Sequence, residues 1–324
     1  MRPSRPLALV LWLGLVHAFP SEPARWLRRL MQPPKPEARR KPSSGTRAVH
    51  PVNLWSKQEC FATFVSTEEY ASGVEALYES LLEVGARAPL VVMKTSNVPD
   101  ATFEPLLSCA NASSTHLDLA LVEVPNIANP YAAQIADGHE RFNNVMSKLF
   151  MFSELMGCGK VVFLDADTVV LQPIDELFER ARVDWIAAGP DNGFELDPDH
   201  FNSGVVASVP SNATFDAMTE QLGKLPSYDK GDQGFLNSFF EHRWTRLGEE
   251  FNTLKRRAIY DPDYDAAHVR VLHLVGTKPW QGDAEEDQLY AESHGKWKAF
   301  HYRWRARCRP ATGEWQARVR KNGL

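Results

Sequence analysis

From residue 60 onward, apolar runs alternate with stretches of helical period. Residues 60–67 are apolar and end in Ser66-Thr67, and residues 69–84 put Tyr70, Val74, Leu77, Leu81 and Leu82 on one helical face. That is a strand followed by a helix. Residues 89–95 (PLVVMKT) repeat the strand pattern, Asp100 opens a short helix, and residues 117–124 (LDLALVEV) alternate again. Residues 145–156 read as helix. Residues 160–164 (KVVFL) form a near-continuous apolar run suited to a central strand, and further runs follow at 185–189, 204–209 and 269–275. Alternating strands and helices predict an α/β domain with a mostly parallel central sheet covered by helices on both faces. Neither an internal repeat nor a Gly-x-Gly-x-x-Gly fingerprint is present.

The first fifty residues follow a different pattern. Arg2 and Arg5 precede an apolar run over 7–16, closed by His17-Ala18-Phe19-Pro20. This is the order of a secretory signal peptide or a short signal-anchor, assigned to 1–19. Residues 20–55, with Pro33, Pro34 and Pro36 among many Arg and Ser, read as a stem or linker before a folded domain over 56–324. These features place the chain on the secretory route, in the ER or Golgi lumen or outside the cell, with membrane attachment only if the first segment stays as an anchor. The alternative is a plastid, because the same junction also resembles the bipartite presequences of algae with secondary plastids.

Composition separates the two parts. Residues 1–50 carry ten Lys and Arg against two acids, and the other 274 carry 26 against 39. An acidic body without a basic stripe excludes a nucleic-acid partner, whose affinity rests on phosphate neutralisation. An acidic body can still take a phosphate ligand if a metal ion stands between carboxylate and phosphate. The four cysteines, Cys60, Cys109, Cys158 and Cys308, lack a C-x-x-C spacing, so zinc is not expected. One or two disulfides in any of three connectivities, or buried thiols, remain open. Asn111 and Asn212 each begin an N-glycosylation triplet.

The candidate chemistry centres on Asp165-Ala166-Asp167, directly after the apolar run 160–164. Ligands of open α/β sheets bind outside the carboxyl ends of the strands, so this pair is expected to face solvent in the crevice and to add little to stability. Two carboxylates on one turn suit a hard divalent cation. Asp197/Asp199, Asp261/Asp263 and Asp263/Asp265 repeat the spacing, but prolines and polar neighbours assign them to surface loops. The segment 163–168 also fits the nucleophile motif of haloacid-dehalogenase-type phosphatases, with Asp165 as nucleophile. About a hundred residues precede it, however, and Gly231-Asp232-Gln233-Gly234 offers one acid where a pair is wanted.

Six blocks widen the pattern: Phe64-Val-Ser-Thr-Glu-Glu-Tyr70, Met146-Ser-Lys-Leu149, Val161-Val-Phe-Leu-Asp-Ala-Asp-Thr168, Phe201-Asn-Ser-Gly204, Asp229-Lys-Gly-Asp-Gln-Gly-Phe-Leu-Asn237 and His273-Leu-Val-Gly-Thr-Lys-Pro-Trp280. In content and order they resemble glycosyltransferase family 8, particularly its glycogenin-like branch. The resemblance implies a GT-A-like (Rossmann-like) fold and transfer of a hexosyl or uronosyl group from a UDP-sugar donor, with retention. It implies a manganese cofactor, with magnesium as the alternative, and Asp165, Asp167 and His273 as metal ligands. Imidazole beside two carboxylates agrees with manganese chemistry.

By the same carry-over, Phe64, Ser66 and Tyr70 would meet the uridine, Ala166 would line the ribose, and Gly276 and Lys278 would approach the diphosphate. Asn202, Ser203, Asp229, Asp232 and Gln233 would grip the sugar and line the face of attack, with Lys148 touching the donor. Asp232, Gln233 and Lys148 are therefore the catalytic candidates. The chain departs from the glycogenin pattern by one residue fewer between His273 and Lys278. Tyr260 falls near glycogenin's self-modified tyrosine in a different sequence context. The acceptor, whether a glycan, a polyol or a protein, stays open, as do a homodimer and an inactive sugar-binding protein on the same fold.

Overall fold

The computed structural model describes residues 58–111, 115–132, 143–192 and 197–308, all within a compact unit spanning 49–324. The signal or anchor segment (1–19) and the stem (20–55) lie outside the described residues. In chain order the strands are β1 (Glu59–Val65), β2 (Leu90–Lys94), β3 (Leu119–Glu123), β4 (Lys160–Leu164), β5 (Thr168–Val170), β6 (Ile186–Asp191), β7 (Asp197–Ser208), β8 (Trp244–Arg246), β9 (Thr253–Leu254) and β10 (Val271–His273). The helices are α1 (Ala71–Glu83), α2 (Glu104–Asn111), α3 (Asn212–Gln221), α4 (Asp232–Phe239), α5 (Arg257–Tyr260), α6 (Ala284–Leu289) and α7 (Ala291–Cys308).

Seven strands form one sheet in the order β3-β2-β1-β4-β7-β6-β8. Pairings are parallel except on both sides of β7, which runs antiparallel to β4 and β6. The expected mostly parallel α/β sheet is therefore present. Alternation along the strands builds two cores. Phe61, Val65, Val162 and Leu164 face α1, Phe178 and Trp304 of α7, and Phe61 meets Phe178 at 5.0 Å between ring centroids. Cys60, Ala62, Val161 and Phe163 face residues 146–156, α3 and α4. A sheet buried on both faces explains why β4 reads as continuous apolar sequence.

Two expectations need correction. Residues 145–156, read as one helix, form the 3-10 segments Val145–Phe152 and Glu154–Met156, broken at Ser153. Met146 to Phe152 are all buried, so no polar stripe supports a longer amphipathic helix, and the Ser153 hydroxyl caps the second segment by accepting from Leu155 N–H. Asp197 and Asp199 lie in β7 and not in a loop.

A second sheet, ordered β5-β10-β9, sits beside the end of β4. Its register pairs His273 with Thr168 and with Leu254. This small sheet brings a late strand up to the Asp165–Asp167 turn, a relation that hydrophobic periodicity does not encode.

Both disulfides left open by the sequence form: Cys60–Cys158, tying the starts of neighbouring β1 and β4, and Cys109–Cys308, tying the ends of α2 and α7. The second fixes a C-terminal helix that contributes buried Trp297, Phe300 and Trp304. Replacing Cys109 and Cys308 together by serine is expected to cost roughly 2–5 kcal/mol. A lower guanidinium midpoint would be the readout, and an unchanged midpoint would mean that α7 holds its place by packing alone.

Candidate active site

At the carboxyl end of β4 the chain turns sharply. Asp165 N–H donates to Gly204 O (2.8 Å), Thr168 N–H and Oγ1 both donate to Asp165 O (3.0 and 2.8 Å), and Leu274 N–H donates to Asp167 O (2.9 Å). With β7 and β10 pinning the turn from two sides, the two carboxylates converge. Asp165, Asp167 and His273 present ligand atoms that all lie within 4.8 Å of one another. His273 Nε2 stands 3.2 Å from Asp167 Oδ1 and 3.8 Å from Asp165 Oδ2.

The tautomer of His273 follows from its partners. Gly204 N–H donates to Asn202 Oδ1 (2.9 Å), which also accepts from Asn252 Nδ2 (2.8 Å). That orients the Asn252 amide so that its Oδ1 accepts from His273 Nδ1 (3.0 Å). Nδ1 therefore carries the proton that Asn252 accepts, which leaves Nε2 turned to the carboxylates as the ring atom that would ligate a metal. Gly204 is glycine because a Cβ there would overlap the His273 ring. Substituting Asn252 by leucine is expected to free the ring and weaken divalent-metal binding roughly 10- to 100-fold. Isothermal titration with manganese would read this out.

Two buried lysines balance the acids. Lys148 Nζ bridges Asp165 Oδ1 and Asp232 Oδ2, both at 2.9 Å, and donates to Ser203 Oγ (3.3 Å). Burial alone would lower the Lys148 pKa, but the Asp165 and Asp232 carboxylates overcome it and raise it above the ordinary lysine value. Lys278 Nζ pairs closely with Asp167 Oδ2 and donates to Leu274 O (3.0 Å). Burial pushes Asp167 up, yet Lys278 and His273 outweigh it and hold its carboxyl well below the usual carboxylate range. Asp165 is raised, by burial first, with Lys148 opposing.

The pair is thus not the solvent-facing one expected from the sequence. The Asp167 side chain is 9% exposed, and that of Asp165 is 28%. The small β5-β10-β9 sheet and Lys278 cover the turn.

Every site residue expected from the sequence lines one cleft of about 280 Å³: Phe64, Ser66, Tyr70, Lys148, Asp165, Ala166, Asp167, Asn202, Ser203, Asp229, Asp232, Gln233, His273, Gly276 and Lys278. Tyr70 packs edge-on against Trp280, with centroids 5.4 Å apart. Several have more structural work than expected. The Asn202 amide oxygen is occupied as above, and Asp229 Oδ1 caps the start of α4 by accepting from Gly231 N–H, Gly234 N–H and Ser227 Oγ. Ser203 Oγ donates to Asp232 Oδ2 (2.8 Å), and Ser203 N–H donates to Gln233 Oε1 (3.1 Å).

Sequence reading missed Asn252, Asp191 and Lys255. Asp191 Oδ2 accepts from Gln233 Nε2 (2.9 Å). Lys255, buried, donates to Thr277 O (2.7 Å) and pairs with Glu286 Oε2 (3.0 Å), backing the 276–278 loop. None of these has a periodic signal in the sequence. Tyr260 is half exposed on α5 and does not line the cleft.

A roomier depression of about 660 Å³ lies at the opposite ends of the strands, lined by Arg87, Asp175, Glu176 and Glu179 among others. Glu176 is partnered by Arg270 and Asp175 by Arg87, and among the described residues no metal-ligand set converges there. Volume alone does not identify the site.

Comparison with known proteins gives the same picture. Residues 62–284 match the family model for glycosyl transferase family 8. Glycogenin-1 of Oryctolagus cuniculus is 31% identical over 258 residues, covering 73% of this chain and 70% of that one. UDP-glucuronate:xylan alpha-glucuronosyltransferase 2 of Arabidopsis thaliana is 28% identical over 267 residues, covering 76% of this chain. The chain spans about 40% of the length of that plant relative. Among solved structures, the galactosyltransferase LgtC, in complex with donor and acceptor sugar analogues, superposes with a TM-score of 0.58 at 17% identity, over 80% of this chain and 99% of its own. That likeness fixes the fold as GT-A, and the family match decides against the haloacid-dehalogenase reading of residues 163–168. With the family model running through β1, the Asp165–Asp167 turn, α4 and His273, the chain belongs to glycosyltransferase family 8.

Proposed function

We propose that the protein is a retaining glycosyltransferase that moves a hexosyl or uronosyl group from a UDP-sugar to an acceptor hydroxyl, with a divalent cation, manganese before magnesium, held by Asp165, Asp167 and His273. The single observation that carries this reading is the imidazole whose Nε2 is aimed, through Asn252 and Asn202, at two converging carboxylates. Two hard oxygens and one borderline nitrogen suit manganese, and the residues fit the ion. A bound cation would neutralise charge developing on the departing diphosphate.

The chain's own groups supply the rest. Lys278 sits beside Asp167 at the mouth of the Gly276 loop, so its Nζ can exchange that carboxylate for a phosphate oxygen and stabilise the leaving group. Lys148 holds Asp165 and Asp232 apart from one another's charge and fixes their geometry. Gln233, anchored between Ser203 N–H and Asp191, presents a rigid polar wall to the sugar, and Asp232 beside it accepts sugar hydroxyls. Among the described residues no side chain stands as an evident covalent nucleophile, so attack on the face that the diphosphate leaves, within a short-lived ion pair, is the mechanism this cleft favours.

The compartment we infer is the oxidising lumen of the secretory route, before the plastid alternative. Two disulfides support it, since such bonds persist where thiols are not kept reduced. The names of similar proteins carry UDP-glucuronate, which keeps a uronosyl donor beside a hexosyl one. UDP release measured over a panel of UDP-sugars, with manganese and with chelator, tests the reading. Metal-dependent release from one or two donors is expected, and release from none would refute it.

A further inference from the structure

We propose that the exposed ring of Tyr228, backed by the His200 imidazole, is the platform on which a neutral saccharide acceptor lays its pyranose ring. The proposal rests on the transferase reading above and names the acceptor class of that same site.

Tyr228 is 51% exposed, yet it is not a free-swinging surface side chain. Its hydroxyl accepts from Gln233 Nε2 (3.0 Å) and Asn237 Nδ2 (3.3 Å), both on α4, so the phenol end is tied to a residue that lines the cleft. The ring itself stays outside. His200 stands against it, with centroids 5.0 Å apart and planes tilted by 60°, and is held in turn by Asp197 Oδ2 at 2.8 Å from Nδ1. Two partly exposed aromatic rings are thus held against each other beside Gln233, a residue that lines the cleft.

A pyranose ring is the ligand whose chemistry matches that ledge. Its axial C–H bonds form an apolar face that lies flat on an aromatic ring, while its equatorial hydroxyls point outward to acceptors at the rim. The rim here is acidic. Burial first, then Asp229, Asp191 and Asp197, push the Tyr228 phenol well above its ordinary pKa, which places those carboxylates within electrostatic reach of it. Carboxylates accept hydrogen bonds from sugar hydroxyls and repel phosphorylated or carboxylated acceptors. An open-chain polyol has the hydroxyls but no flat C–H face, and a peptide would want an apolar groove where this rim has acids. Because a pinned ring loses little freedom on binding, the ledge needs no rearrangement to work.

Saturation-transfer NMR tests this, with methyl β-xylopyranoside, methyl α-glucopyranoside, glucuronate and sorbitol as probes, each titrated with and without manganese and UDP. In wild type the two pyranosides should receive saturation at their ring C–H protons, and sorbitol and glucuronate should bind at least about tenfold more weakly. Tyr228→Leu should weaken pyranoside binding about tenfold and His200→Ala about threefold, whereas Tyr228→Phe, which keeps the face and loses only the hydroxyl's ties to Gln233 and Asn237, should lose no more than about threefold. Pyranoside affinity unchanged in Tyr228→Leu, or sorbitol or glucuronate binding as well as the pyranosides, would overturn the platform. His200 is half exposed, so its variant keeps the test valid should Tyr228→Leu misfold, and equal pyranoside affinity in His200→Ala and wild type would then count against the ledge. Titration of UDP into wild type reads the transferase assignment separately, because the pyranoside measurement does not require the nucleotide.

Discussion

Asp167→Asn should lower metal-dependent UDP-sugar turnover roughly a thousandfold or more, the equivalent of about 4 kcal/mol of transition-state stabilisation. It should also destabilise the metal-free protein, because Lys278 Nζ is buried against this carboxylate and would be left with an amide and the Leu274 carbonyl in its place. Leaving one member of a buried ion pair uncompensated costs on the order of 3 kcal/mol. Asp165→Asn separates the two effects. Its carboxylate is more exposed, and Lys148 retains Asp232, so activity should collapse with a smaller loss of melting temperature. Asp263, in an exposed turn after α5 with the same Asp-x-Asp spacing, is the matched control, and its asparagine variant should change neither quantity. Equal loss in that control would remove the reason for singling out the strand-end pair.

Lys278→Ala should cut turnover by about 10²- to 10³-fold, the range for removing one electrostatic stabiliser of a departing oxyanion. Its effect on metal binding should have the opposite sign. Lys278 Nζ occupies Asp167 Oδ2, so its charge competes with a cation for the same carboxylate, and removing it should tighten manganese binding in the absence of nucleotide while weakening UDP binding. A variant that lost metal and nucleotide affinity together would make Lys278 a structural support of the site and not a partner of the diphosphate.

The fold was largely legible where one rule dominated. β1, β2 and β4 are near-continuous apolar runs because both sheet faces are covered, and α1 carries its buried Val74, Leu77 and Leu81 at helical spacing. The placement of Asp165 at the end of β4 followed from the same logic. What was hidden depends on contacts distant in sequence. Asn252 looks like any loop asparagine until β9 pairs with β10 and sets it against His273, 21 residues away. Gln233 reaches Asp191 across 42 residues, and Lys255 reaches Glu286 across 31. The burial of Asp167 has no signal in the sequence because its cover comes from the short strands β5, β9 and β10, too brief for periodicity to register. Disulfide pairing was unreadable for the same reason, since Cys109 and Cys308 meet only after α7 packs across α1.

The account stands on Asp165, Asp167 and His273 acting together on one cation that in turn holds the diphosphate. Isothermal titration of manganese, then UDP, into wild type and His273→Ala tests it most directly. The structure predicts that the variant loses manganese affinity by at least about 10- to 100-fold and that UDP affinity falls with it, because a first ligand should matter no less than the residues that orient it. Full manganese and UDP affinity in His273→Ala would contradict the site as built here.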